Sequence, residues 1–208
     1  MKLYLSSYKL GTKIDELKNW ITENNNKIGI IDNAKDGFSD RVRSQQGTLK
    51  DIIQLEEIGF KVTQLNLKDY FGKPIELRSF LKDFQAFYVV GGNTFILRKA
   101  MKLSGFDEYL KKVSQNPNYL YAGYSAGVCV LCENMEAIAI MDEPEVNPYD
   151  NSTPLYSGIG LLNYALIPHY ESDHPETELA NQAVSFCRQN KIPYKTLKDG
   201  DVIIEYLN

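Results

Sequence analysis

Reactive side chains are scarce in this chain, and the scarcity narrows its chemistry. Of 208 residues, two are histidine and three are cysteine. A small, odd cysteine count offers no disulfide framework and suits a reducing compartment. Cys129 and Cys132 form a Cys-x-x-Cys, but Val128 and Val130-Leu131 surround them, so the pair reads as core packing rather than a redox or metal centre. No apolar run approaches membrane length, and Met1-Lys-Leu-Tyr-Leu-Ser-Ser7 is too short and too polar for a signal peptide. A cytoplasmic protein is expected. Positive charge is also in deficit, with 23 Lys and Arg against 27 Asp and Glu and a net −4, and no basic stripe offers itself to nucleic acid. Repeats, low-complexity tracts and linkers are absent as well. With 43% hydrophobic and 24% charged residues, the chain reads as one globular domain over residues 1–208, long enough to bury a core.

What is present centres on Tyr121-Ala-Gly-Tyr-Ser125-Ala-Gly-Val-Cys-Val-Leu131. A strand-like apolar run meets a Gly-x-Ser-x-Gly turn, and a small, helix-compatible segment follows. This is the layout of a nucleophile elbow, in which glycines permit a sharp turn and expose the serine hydroxyl at a strand's carboxyl end. Ser125 is the expected nucleophile. The bland alternative is a tight turn whose serine caps a helix.

Hydrophobic spacing sets the elements around it. Strands are expected over residues 3–7, 27–32, 60–67, 86–90 and 119–122. Helices are expected over 13–25, 39–58 (capped by Ser39 or Asp40 and stopped by Gly59), 75–82, 95–103, 107–114 and 175–189. Further strands are expected over 137–141, 161–167, 192–197 and 202–206, and residues 142–154 form a polar surface loop. Alternating strands and helices predict an α/β fold, a mostly parallel sheet flanked by helices on both faces. Ligands gather at the carboxyl ends of such strands, where both Gly91-Gly92 and Ser125 fall.

A serine hydroxyl needs a general base. His169, which ends an apolar run in Ile-Pro-His-Tyr, is expected at a strand end beside Ser125, with His174 nearer the entrance. The base in turn needs an acid. Asp142, after the strand expected at 137–141, and Asp199, in a turn between the last two strands, both qualify, and spacing does not choose between them. The Asp-Gly at 199–200 also has the form of a hairpin turn. Backbone N–H groups of Gly92 and Ala126 are the expected oxyanion donors. Asn93, Thr94 and Tyr124, flanking these turns, are expected to touch substrate.

These residues together resemble the aspartyl dipeptidase (peptidase E) family of serine peptidases. Val89-Val-Gly-Gly-Asn-Thr-Phe95 looks like that family's glycine-rich strand-end turn, and Ala122-Gly-Tyr-Ser-Ala-Gly127 like its nucleophile motif. Ile167-Pro-His169 is similar to its Asn-Pro-His segment, and Leu197-Lys-Asp-Gly200 to its Leu-Pro-Glu-Gly. The resemblance implies a fold similar to class I glutamine amidotransferases, with serine at the elbow, and hydrolysis of small peptides, typically dipeptides with N-terminal aspartate, with no metal or cofactor. It matches Asp142 to an aspartate near the family's site and Asp199 to the glutamate of its Pro-Glu-Gly turn. The family also carries a substrate-binding arginine after Glu-Thr, whereas Pro175-Glu-Thr-Glu-Leu-Ala-Asn181 has none. Strict N-terminal Asp specificity is therefore not expected, since an unpaired buried carboxylate is costly. A small peptide is the expected partner, without nucleic acid or membrane, and a homodimer stays open. Three other readings remain: an α/β-hydrolase acting on esters, for which Ser125, Asp142, His169 have the required order; an amidotransferase, which needs cysteine at the elbow; and a silent binding protein on the same scaffold.

Overall fold

A computed structural model describes residues 1–22, 25–150 and 152–207. Its centre is a six-stranded sheet in the order β3-β2-β4-β5-β1-β8, built from β1 (Lys2–Ser6), β2 (Lys27–Ile31), β3 (Lys61–Gln64), β4 (Ala86–Val89), β5 (Leu120–Tyr124) and β8 (Val202–Tyr206). The first five run parallel, and β8 closes the edge antiparallel to β1. The alternation of side chains along a strand divides the core into two faces. Leu3, Leu5, Phe87, Val89 and Tyr121 pack on one side, Tyr4, Tyr88, Leu120 and Ala122 on the other.

Helices α4 (Thr94–Ser104) and α5 (Phe106–Val113) cover the first face with α3 (Pro74–Phe80). Leu17 of α1 (Ile14–Lys18) and Leu55 of α2 (Arg41–Glu57) cover the second. The mostly parallel sheet flanked by helices on both faces is the architecture that the sequence predicts. Local signals act where expected. The Asp40 carboxylate accepts from the Arg43 N–H at the start of α2, and Asn93 Oδ1 accepts from Phe95 and Ile96 N–H at the start of α4. Behind α4, Arg98 Nη1 donates to Asp107 at 3.0 Å in a buried ion pair, while its Nε donates to the Ser157 carbonyl.

A third apolar cluster lies to one side. It joins the short helix α6 (Ala126–Cys129), the helix α7 (Thr177–Asn190), and a separate two-stranded parallel sheet of β6 (Ala165–Ile167) and β7 (Tyr194–Thr196). Helix α7, on the segment expected to be helical over 175–189, contributes Ala180, Ala183, Val184 and Cys187, a stripe of 3.6-residue period. Cys129, Cys132 and Cys187 are free and buried, so the Cys-x-x-Cys is core, as its apolar surroundings imply.

Several expected elements differ. The strand expected over 137–141 is a 3-10 helix at Ile138–Ile140: the Ile138 and Ala139 N–H groups both turn back to the Met135 carbonyl, so local bonding displaces a ladder. The helix expected over 13–25 is regular only at Ile14–Lys18, because beyond the Asn19 cap the N–H groups of Trp20 and Ile21 bond to carbonyls three residues back; part of that stretch, residues 23 and 24, lies outside the described residues. The strands at 161–167 and 192–197 shrink to three residues each and pair with one another. Asp199-Gly200 is therefore not a hairpin turn. It carries the chain from the small sheet to the edge of the large one.

Candidate active site

Strand order places the site. Strands β4, β5 and β1 are neighbours, and their carboxyl ends deliver Gly91-Gly92, Ser125 and Ser7 to one edge. Ser125 follows β5 with φ 50° and ψ −120°, a strained backbone for a residue with a side chain. Its N–H donates to the Ser7 carbonyl at 3.2 Å, tying the turn to β1. Close packing explains the small residue at 127: a Cβ there would lie 2.1 Å from the Val89 carbonyl oxygen of β4. Gly92 sits at φ 145°, and a Cβ on it would lie 2.5 Å from the Ala34 carbonyl oxygen, so only glycine fits. Among the described residues, the N–H groups of Gly92 and Ala126 donate to no other protein group.

His169 follows β6 after Pro168 and has φ 60°. It is buried, and each of its hydrogen-bonding positions but one is fixed. The backbone N–H donates to Ser7 Oγ at 2.9 Å, and the carbonyl accepts from Thr177 Oγ1 at 2.9 Å. Nδ1 lies 2.8 Å from Asp199 Oδ1. Ser7 Oγ also donates to that oxygen at 2.8 Å, and the Asp199 N–H donates to Ser172 Oγ at 2.8 Å. A carboxylate at Nδ1 assigns the ring proton to that nitrogen and leaves the Nε2 lone pair free. Burial lowers the His169 pKa from its ordinary 6.5, with Asp199 pulling it up and His174 adding to the decrease. The His174 ring stacks on that of His169, centroids 3.7 Å apart and planes 8° apart, and Tyr8 packs edge-on against His169.

Ser125 and His169 line the same cavity of about 430 Å³. Asp142, Glu143 and Glu176 line it too, and among the described residues no Lys or Arg does. Glu176 Oε2 is 3.8 Å from His169 Nε2. Burial pushes the Glu176 carboxyl up to about 7, helped by the charges of Asp142 and Asp199. Burial raises Asp142 to about 6 against the opposing hydrogen bonds of Thr94.

Of the two acids left open by the sequence, Asp199 lies on His169. Asp142 instead accepts from the Thr94 N–H at 2.9 Å, at the first turn of α4. The separation arises because residues 137–141 coil rather than extend, returning Asp142 to α4. Asn93 lines the cavity, but its side-chain oxygen caps α4 and its Nδ2 donates to the Glu143 carbonyl at 2.9 Å. Thr94 is fully buried. The Tyr124 ring lines the cavity while its hydroxyl donates to Asp51 at 3.0 Å. Cys129 is buried, and its thiol donates to the Leu166 carbonyl. Burial raises the thiol pKa well above its ordinary value, which leaves no thiolate at the elbow. Sequence reading did not single out Ser7, Tyr8 or Glu176 as site residues. The carboxyl-end rule applied to β1 points to Ser7 and Tyr8; the position of Glu176 comes from the packing of α7.

The comparisons with known proteins bear on the family and the fold. The sequence pattern of peptidase family S51 matches residues 14–205. An uncharacterised peptidase of Listeria monocytogenes is 30% identical over 134 residues, 63% of this chain and 60% of its own length. A peptidase E of Streptomyces coelicolor is 28% identical over 125 residues, 58% of this chain and 48% of its own length. The chain thus spans about half to three-fifths of the length of these relatives. In fold, it is similar to a crystal structure of a candidate peptidase E protein from Listeria monocytogenes EGD-e, with a TM-score of 0.73, 23% identity and coverage of 100% of this chain and 98% of the other. A peptidase from an acI-B1 actinobacterium gives a TM-score of 0.67 at 16% identity, over 99% of this chain and 83% of the other. With a family pattern running through both β5–Ser125 and the His169–Asp199 pair, the chain belongs to peptidase family S51.

Proposed function

We propose that this protein is a serine peptidase that hydrolyses short peptides through an acyl-enzyme, with Ser125 as nucleophile, His169 as general base and Asp199 as the acid that orients it. The observation that carries the reading is the shared cavity, which brings a strained, elbow-borne serine together with a buried histidine whose Nδ1 is held 2.8 Å from a carboxylate. His169 Nε2 takes the Ser125 proton as Oγ attacks the peptide carbonyl. The free N–H groups of Gly92 and Ala126 receive the oxyanion. His169 then protonates the departing amine, and water attacks the acyl-enzyme by the same route. Its lowered pKa keeps the imidazole neutral, and so basic, at neutral pH.

The carboxylates of Asp142, Glu143 and Glu176 suit the ammonium group of a free peptide amino terminus. They disfavour an N-terminal aspartate side chain, which would meet like charge and no cation among the described residues. The acid also argues against the ester-hydrolase reading. Asp199 follows His169 in the chain, whereas that class runs nucleophile, acid, histidine.

The test is a dipeptide panel of Asp-Leu, Glu-Leu, Ala-Leu and Leu-Leu, given to the wild type and Ser125→Ala side by side. Cleavage of Ala-Leu or Leu-Leu that vanishes in Ser125→Ala supports the reading. Cleavage that survives in Ser125→Ala removes the nucleophile assignment. Cleavage confined to Asp-Leu overturns the specificity.

A further inference from the structure

A second cavity, of about 690 Å³, adjoins the first. The two share Tyr8, Gly37, Phe38 and Tyr124 in their walls, so they lie side by side along the carboxyl edge of the sheet. Charge is segregated along it. The end that holds Ser125 is lined by carboxylates, whereas the other is lined by Lys9, Lys35 and Arg43. We propose that the second cavity is a carboxylate-binding subsite that holds the C-terminal carboxylate of a short peptide whose amino end occupies the first. The proposal rests on the peptidase reading above and deepens it by naming zwitterionic di- and tripeptides as the substrate class.

Three observations support it. First, the two lysines share a single ion-pair partner, the buried Asp51. Lys9 Nζ donates to Asp51 Oδ1 at 2.8 Å, and Lys35 Nζ lies 3.8 Å from Oδ2 of the same buried carboxylate. Lys35 is almost fully buried, and among the described residues its Nζ makes one hydrogen bond, to the neutral Thr48 hydroxyl at 3.1 Å. An ammonium has three donors to satisfy, and a buried charge short of partners favours an incoming anion. Asp40 also lines this cavity, but its Oδ1 already accepts from the Arg43 N–H. Asp32 lies close to Lys35 and accepts from Thr48 Oγ1 and Gln64 instead.

Second, the cationic end is tied to the reacting end. Lys9 Nζ donates to the Tyr124 hydroxyl at 3.2 Å and lies 5.1 Å from the centre of that ring, and Tyr124 immediately precedes Ser125. The length of one tyrosine side chain therefore relates the ammonium to the nucleophile. An extended residue spans about 3.3–3.6 Å, so a di- or tripeptide with its scissile bond at Ser125 has the reach. Third, Lys9 has φ 52°, an uncommon conformation for a non-glycine residue that concentrates at functional positions. Between the two ends, Tyr8 and Phe38 are both 44% exposed and offer apolar surface to the residue being released. Arg43, on the first turn of α2, supplies the planar donor pair that a carboxylate matches.

A carboxylate can come from the peptide terminus or from an acidic side chain, and the experiment separates the two. Ser125→Ala protein, which would hold peptides uncleaved, is titrated with Ala-Leu, Ala-Leu amide and Ala-Asp amide by calorimetry or NMR. The same peptides are given to the active enzyme for kcat/KM. Ala-Leu is expected to bind about tenfold or more tighter than its amide, the scale of a charge-assisted hydrogen bond. The acid-to-amide ratio should fall towards 1 in Lys35→Met and in Arg43→Gln; the second of these changes an exposed residue and keeps the test clear of folding defects. Equal binding of Ala-Leu and its amide overturns the subsite, whether or not the wild type cleaves either. A preference for Ala-Asp amide without one for Ala-Leu overturns the C-terminal assignment in favour of a side-chain carboxylate. If the acid–amide difference persists without Ser125-dependent cleavage, the subsite stands and the peptidase reading falls.

Discussion

Asp142 gives a stability prediction whose sign and size both follow from where the structure puts it. Its carboxylate accepts from the Thr94 N–H, yet burial outweighs that bond and raises the pKa from 3.8 to about 6. An acid whose folded pKa lies above its unfolded one holds more protons in the native state between those values. Stability therefore falls as pH rises through that window. At about 1.4 kcal/mol per pH unit, keeping Asp142 ionised at neutral pH costs at most ~3 kcal/mol. Asp142→Asn removes the charge and retains an oxygen to accept from Thr94. The variant should therefore be more stable than wild type at pH 8 by up to ~3 kcal/mol, roughly 6–12 °C in Tm for a domain of this size. The gain should shrink through pH 6 and reach its floor below about pH 4, where both proteins are uncharged at this position. Thermal unfolding of the two proteins from pH 3.5 to 8, followed by circular dichroism, measures the difference directly. A Tm difference that is the same at every pH, or a variant less stable at pH 8, would refute the argument that burial dominates at Asp142.

Asp199→Asn should lower kcat by about 10³-fold or more, by analogy with triad variants in which the histidine loses its tautomer partner, while Asp142→Asn should change kcat far less; steady-state kinetics on Ala-Leu compares them. The kcat/KM profile should fall on the acid side with a midpoint below 6.5, because burial disfavours protonated His169. A second step near pH 7 should appear in KM and vanish in Glu176→Gln, since ionised Glu176 attracts the substrate ammonium and its carboxyl titrates at about 7. Gly127→Ala would set a methyl 2.1 Å from the Val89 carbonyl oxygen; denaturant melts should show a loss of about 1–3 kcal/mol, the usual cost of overpacking, and the displaced elbow should lose activity beyond what unfolding explains.

The sequence alone carried the architecture, because local patterns encode it. Runs such as Ala86–Val89 and Leu120–Tyr124 are apolar throughout, as strands buried on both faces must be. The Gly-x-Ser-x-Gly turn and the rarity of histidine then isolated Ser125 and His169. Tertiary structure decided which carboxylate lies against His169. Asp142 and Asp199 are equivalent in sequence terms, and the choice turned on two departures from local expectation: residues 137–141 coil back towards α4, and Asp199 bridges two sheets instead of closing a hairpin. Ser7 and the charge-segregated cavities likewise escape a linear reading. They bring together segments more than a hundred residues apart, such as Ser7 with His169 and Lys9 with Tyr124. Spacing along a chain reports periodicity within one element, whereas a site at a sheet edge is assembled by strand order, which no single element contains.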